Sequence, residues 1–297
     1  MSTATIETGA TAFDVSDVEY LRHGDTPLLA RIFTPRGQGP FPALVECHGG
    51  AWCMSNRLSE HLRHEYMACH GIVSIALDFR SGNEAPYPAS VQDINYAVRW
   101  AKQNARDLKT RPELIGISGQ SSGGHLAMLV AMRPRDPRYA AIALPAGSAQ
   151  NASVRCVVMS WPVINPLSRY RHAKRAVAGG ADWAKPIIPR HDAYWGSEAN
   201  MEEGNPMLAL ERGEKVELPP AVWYQGRGDI VHDYKDPQSD FPGNEPQRFC
   251  ANYKKAGGEI TLQSIDMDRH AGHGPDLSKT GDMFARMVNF VSKHINT

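Results

Sequence analysis

Neither sign of charge is in excess: 32 lysines and arginines stand against 32 aspartates and glutamates. Without a basic surface there is little to release counterions from a phosphate backbone, so nucleic acid is excluded as the expected partner. No apolar run approaches the ~20 residues that cross a bilayer. Met1 to Ala10 also lacks a basic stretch followed by an apolar one, so no membrane span is expected and the expected location is the cytoplasm. The five cysteines, Cys47, Cys53, Cys69, Cys156 and Cys250, include no Cys-x-x-Cys pair. That argues for reduced thiols and against a disulfide framework or a cysteine zinc site. There is no internal repeat with a period of ~20–50 residues, which removes solenoids and propellers. Glycine-rich signatures of dinucleotide or nucleotide binding are missing too, and no cofactor is expected. His61, His64 and Glu65 share helical spacing, but Ala68 breaks the His-Glu-x-x-His pattern. A solvated helix face is expected there, and no metal.

What is present is a rhythm. In 297 residues, 42% of them hydrophobic, short β-branched runs alternate with longer segments of helical spacing. Strands are expected at 18–22, 28–34, 43–47, 72–78, 114–118, 154–160, 221–225 and 260–265, the first two as an antiparallel pair about His23-Gly24-Asp25. Helices are expected at 58–69, 90–105, 123–132, 247–256 and 282–294. The pattern predicts an α/β fold, a mostly parallel central sheet with helices on both faces, as one domain over 1–297. Residues 161–220 break the rhythm, with Pro162, Pro166, Pro186, Pro189 and Pro206 interrupting any long helix. They read as a cap-like insertion. Its basic first half and acidic second half are expected to be solvated faces that partly pair.

The chemistry begins at Gly119-Gln120-Ser121-Ser122-Gly123, placed between an apolar strand and a helix. Gly-x-Ser-x-Gly in that context is a nucleophile elbow, in which small flanking residues let strand and helix approach a strained serine. Ser121 is therefore the expected nucleophile. A hydroxyl needs a base and an oxyanion site. His48-Gly49-Gly50-Ala51-Trp52 follows a strand, and the N–H groups of Gly50 and Ala51, with that of Ser122, are the expected oxyanion hole. His48 is expected to brace the loop. The acid is expected in Gln225-Gly226-Arg227-Gly228-Asp229, with Asp229 preferred to Asp233 and Asp236. For the base, the loop after the last strand carries His270 and His273; His273 is preferred for its glycine neighbours, and His270 stays open. Trp52 and Trp161 adjoin strand ends and are expected to line the substrate site.

These motifs resemble those of α/β-hydrolases of the hormone-sensitive-lipase-like esterase group, over about residues 28–295. The chain order Ser121, Asp229, His273 is the order that superfamily uses. Asp78-Phe79-Arg80, followed by Pro86, Pro88 and Asp93, is similar to a stretch of the group in which the arginine and the later aspartate are structural, which implies an Arg80–Asp93 ion pair. Ala51 replaces the third glycine of the usual oxyanion motif, and Ser122 the alanine after the nucleophile; each still offers a backbone N–H. The short form also resembles kynurenine formamidases and small acetyl or feruloyl esterases. The resemblance implies a serine hydrolase of short-chain or aryl carboxylic esters. The alternatives are an arylformamidase-type amide hydrolase and a non-catalytic receptor on the same fold. The implied partner is a small-molecule ester or amide; a homodimer is left open.

Overall fold

The computed structural model describes residues 11–145, 149–266 and 277–295. Eight strands build one sheet: β1 (Phe13–His23), β2 (Thr26–Pro35), β3 (Ala43–Cys47), β4 (Val73–Leu77), β5 (Ile115–Gln120), β6 (Val157–Ser160), β7 (Ala221–Gly226) and β8 (Ile260–Ile265). Their spatial order is β1-β2-β4-β3-β5-β6-β7-β8. β1 and β2 are antiparallel, β2 runs antiparallel to β4, and every later pairing is parallel. The expected mostly parallel sheet is therefore present. β1 starts five residues before the apolar pattern suggests, because its outer half is held by ion pairs. Asp17 faces Arg31 across the ladder at 2.9 Å, and Asp14 meets Arg36 at 2.8 Å. Alternation of apolar residues is the usual sign of a strand, and here it runs only over Phe13-Asp14-Val15-Ser16 before Asp17 breaks it.

β3, β4, β6 and β7 are buried at every position, as strands covered on both faces must be. Helices α1 (His61–Cys69) and α9 (Leu277–Ile295) cover one face, where Leu44, Val158 and Val222 meet Phe284, Met287 and Val291. Helices α2 (Ala89–Gln103), α3 (Ser122–Met132) and α8 (Glu245–Lys255) cover the other, over Val45, Ile117, Met159 and Trp223. Each such side chain contributes roughly 1.5–3 kcal/mol by leaving water. α8 starts two residues earlier than its apolar spacing indicates, since Asn244 and Gln247 close a capping box around it.

One expectation is corrected on α1. His64 is 2% exposed, on the inner face of the helix and not in solvent. Glu46 in β3 points to that face and draws Arg63 inward at 3.0 Å, while His64 packs 5.4 Å from the Phe33 ring. A buried carboxylate needs a partner, and the adjoining turn of α1 supplies it. The Arg80–Asp93 pair forms as expected, at 2.8 and 2.9 Å, with Asp93 fully buried and also bound by His23 at 2.8 Å. It ties the end of β4 to α2 and β1.

Residues 161–220 lie between β6 and β7 and are helical in short pieces: α4 (Pro166–Ala178), α5 (Ile187–Trp195), α6 (Glu198–Glu203) and α7 (Pro206–Glu211). Pro166 and Pro206 occupy first-turn positions, each after an asparagine cap, so these prolines start helices as well as limit them. The charged halves pair in part, as in Arg171–Glu198 at 2.7 Å.

Candidate active site

Parallel strands put their carboxyl ends on one rim, and β3 is the point where the chain reverses direction across the sheet, with β4 on one side and β5 on the other. A crevice opens at such a reversal. The loops after β3 and β5 meet in it. A Cβ placed on Gly49 would lie 3.4 Å from the Ser121 Cβ.

Ser121 has φ 51° and ψ −118°, a conformation an L-residue holds only when its surroundings impose it. The imposition is visible. Its N–H donates to Ser160 O at 2.9 Å, and its carbonyl accepts from Val163 at 3.0 Å and His125 at 3.2 Å. Gly123 is where α3 crosses the end of β3, and an added Cβ would fall 2.1 Å from Cys47 O and 2.3 Å from His48 O. Since the obstructing atoms are backbone, Gly123→Ala is expected to destabilise the protein by at least ~2 kcal/mol and to displace the elbow. Chemical denaturation would measure the first effect, and loss of activity per folded molecule the second.

Three successive residues after His48-Gly49 lie at positive φ: Gly50 (108°), Ala51 (51°) and Trp52 (62°). Gly50 has no room for a side chain, with Met54 O 2.2 Å from where a Cβ would sit. Such a left-handed turn leaves consecutive N–H groups on one side. Among the described residues, those of Gly50 and Ala51 make no backbone hydrogen bond. Ser122 opens α3, so its N–H is free of the helix ladder and adds the positive end of the helix dipole. His48 stacks on Phe79 at 4.1 Å and bonds Gly49 O at 2.8 Å; burial pushes its pKa down, favouring the neutral ring.

Asp229 lies just past β7 and is 1% exposed. Its Oδ1 accepts from the N–H groups of Val231 (3.0 Å) and His232 (2.9 Å), which fold the next three residues back over it. That turn delivers an imidazole the sequence reading did not single out. His232 Nδ1 lies 2.9 Å from Asp229 Oδ2, and His232 Nε2 lies 2.9 Å from Ser121 Oγ. An ionised carboxylate only accepts, so Nδ1 carries the proton and Nε2 is left to accept from the serine hydroxyl. The sign of this arrangement in the sequence was Asp229-Ile230-Val231-His232, in which carboxylate and imidazole share one turn. His273 and His270 lie outside the described residues. Asp233 and Asp236 do not hold the imidazole: Asp233 binds Asn244, and Asp236 faces Arg248.

The two tryptophans differ from expectation. Trp52 is 2% exposed and lies inside an aromatic group with His125, His191, Tyr194 and Trp195, so it braces the interior and does not face an open site. Its position as the last of three positive-φ residues turns the ring under the loop. Trp161 is at the expected strand end, beside the residues that clasp Ser121, but its ring is largely buried with Val158, Val222 and Tyr224.

A mostly parallel sheet carrying a strained serine between β5 and α3, with the acid after β7, defines the α/β-hydrolase fold. Solved structures agree. A hyperthermophilic esterase from the archaeon Pyrobaculum calidifontis superposes with a TM-score of 0.72 at 20% identity, covering 94% of this chain and 85% of that one. A thermophilic esterase from the Planctomycetes species Thermogutta terrifontis gives 0.70 at 22%, covering 97% and 93%. In sequence, the chain is 32% identical over 120 residues to Esterase LipC and 32% identical over 117 residues to Carboxylesterase NlhH, both of Mycobacterium tuberculosis. Those stretches cover 40% and 38% of this chain but only 29% and 36% of the relatives. The BD-FAE family model matches residues 31–185, more than half of the chain, which belongs to that family.

Proposed function

We propose that the chain hydrolyses carboxylic esters through an acyl-enzyme on Ser121, with short-chain or aryl esters as substrates. The observation that carries this reading is the continuous path from Ser121 Oγ through His232 to Asp229, two contacts of 2.9 Å each. The base takes the hydroxyl proton as oxygen attacks the carbonyl, and Asp229 holds the ring's tautomer and stabilises the imidazolium. Negative charge develops on the former carbonyl oxygen, where the N–H groups of Gly50, Ala51 and Ser122 receive it without reorganising. His232 then gives its proton to the leaving alcohol, and water repeats the sequence to release the acid. Membership of BD-FAE and the esterase names of the relatives support the ester class.

A fluorophosphonate probe is expected to label the folded protein at Ser121 and to leave Ser121→Ala unlabelled. p-Nitrophenyl acetate should turn over faster than N-formylkynurenine. The reverse preference would move the reaction to amide hydrolysis. A folded protein that neither reacts with the probe nor turns over either compound would favour a non-catalytic receptor.

A further inference from the structure

His125 lies one helical turn past the nucleophile and is fully buried, with its N–H on Ser121 O at 3.2 Å. Both ring nitrogens are occupied. Trp52 Nε1 lies 3.2 Å from Nδ1, and Gly204 O lies 2.7 Å from Nε2. An indole N–H can only donate and a carbonyl only accept, so one tautomer satisfies both contacts: Nδ1 bare, Nε2 protonated. Three parts of the chain far apart in sequence meet at this ring, namely the nucleophile helix, the loop that offers the oxyanion N–H groups, and the turn between α6 and α7.

We propose that His125 is a positioning residue, which fixes the oxyanion loop relative to Ser121 by holding Trp52 Nε1. The inference rests on the serine-hydrolase reading above. The loop needs such an anchor. Ala51 and Trp52 are non-glycine residues at positive φ, a strained conformation that persists only when neighbours over-determine it. Trp52 is held at its backbone, where Gly82 N–H donates to its carbonyl at 2.8 Å. Its ring is fixed by Tyr194 stacked at 5.6 Å and by edge contacts to His191 and Trp195. None of those ring contacts reaches the helix that begins at the nucleophile, whereas the hydrogen bond to His125 joins the loop to it. Oxyanion donors work only within a few tenths of an ångström of their best position, and a misplacement of about 1 Å can cost ~100-fold in rate.

Two substitutions separate the halves of the bridge. The amide oxygen of asparagine falls near imidazole Nδ1, so His125→Asn keeps an acceptor for Trp52 and loses Gly204. The amide nitrogen of glutamine falls near Nε2, so His125→Gln keeps the donor to Gly204 and loses Trp52. Wild type, both variants and Trp52→Phe would be assayed as full chains on p-nitrophenyl acetate, with kcat expressed per site titrated by fluorophosphonate and folding followed by circular dichroism. His125→Asn is expected to stay within about threefold of wild type. His125→Gln and Trp52→Phe are expected to lose ~10- to 100-fold in kcat with KM nearly unchanged, and combining them should add no further loss. Equal kcat in the asparagine and glutamine variants, or losses that follow melting temperature alone, would overturn the proposal while leaving the hydrolase reading intact. If wild type itself neither reacts with the probe nor turns over the ester, it is the hydrolase reading that fails.

Discussion

His232→Ala is expected to lower kcat by about 10³-fold or more, with KM within a few-fold of wild type. The size follows from the role: without an imidazole at 2.9 Å from Ser121 Oγ, the hydroxyl proton has no acceptor and the leaving alcohol no donor. His273→Ala and His270→Ala are expected to cost less than tenfold on the same ester. Ser121 should keep residual reactivity toward a fluorophosphonate in the His232 variant, since the oxyanion N–H groups remain. A reversed ranking, with His273→Ala or His270→Ala inactive and His232→Ala active, would assign the base to the loop after β8. His232 would then be a neighbour that bonds Asp229 without moving the proton.

Stability is expected to start falling as pH drops below ~6.5, before most carboxylates titrate. Burial pushes the pKa of His125 down to about 4. Burial, aided by the positive charge of Arg169, takes His191 down to about 3. In the unfolded chain both groups titrate near ~6.5. An imidazole whose folded pKa is depressed makes its full contribution to stability above the unfolded value. As pH falls below ~6.5 the unfolded state takes up protons that the folded state refuses, and stability declines until the folded pKa is passed. For His125 that window is roughly 6.5 to about 4, and for His191 it extends to about 3. At pH 4.5 each should have cost ~2–3 kcal/mol relative to pH 7.5, at 1.36 kcal/mol per unit. Glu46 and Glu245, whose pKa values burial raises, oppose this, so the clean measurement is a difference. Urea denaturation of wild type and His191→Phe at the two pH values should show a smaller loss in the variant. Equal losses would mean that His191 accepts a proton in the folded state as readily as in the unfolded one.

Much of the fold was legible. β3, β4 and β7 announce themselves as mainly apolar runs, broken only by Glu46, Ser74 and the Gln225-Gly226 end, because strands buried on both faces need no polar side. β1 was partly hidden for the opposite reason, since Asp14 and Asp17 hold it by cross-strand ion pairs. The inward turn of Arg63 and His64 could not be foreseen from α1 alone, because it answers Glu46, 17 residues earlier than Arg63 and on another element. At the site, Ser121 and the Gly50-Ala51 loop were readable because their demands are local: two backbones pass so close that only glycine fits at Gly123 and Gly50. Asp229 was readable as the carboxylate following a strand and paired glycines. The contact of His232 with Ser121 was not legible because it joins residues on two different loops, while the glycine-flanked histidines after β8 offered the stronger local pattern. Trp52 was given to the substrate because adjacency to a strand end does not say which way a ring turns.

By itself, the sequence determined that a hydroxyl would be raised on a strained turn at the rim of a parallel sheet, since strand, elbow and helix are contiguous and their steric limits are written in adjacent residues. Only the tertiary structure decided which imidazole meets that hydroxyl, and that Trp52 faces His125 and the α6–α7 turn instead of the substrate. Those contacts join residues 111, 73 and 79 positions apart. Which of several chemically suitable groups makes them depends on the packing of whole elements, which no local pattern encodes.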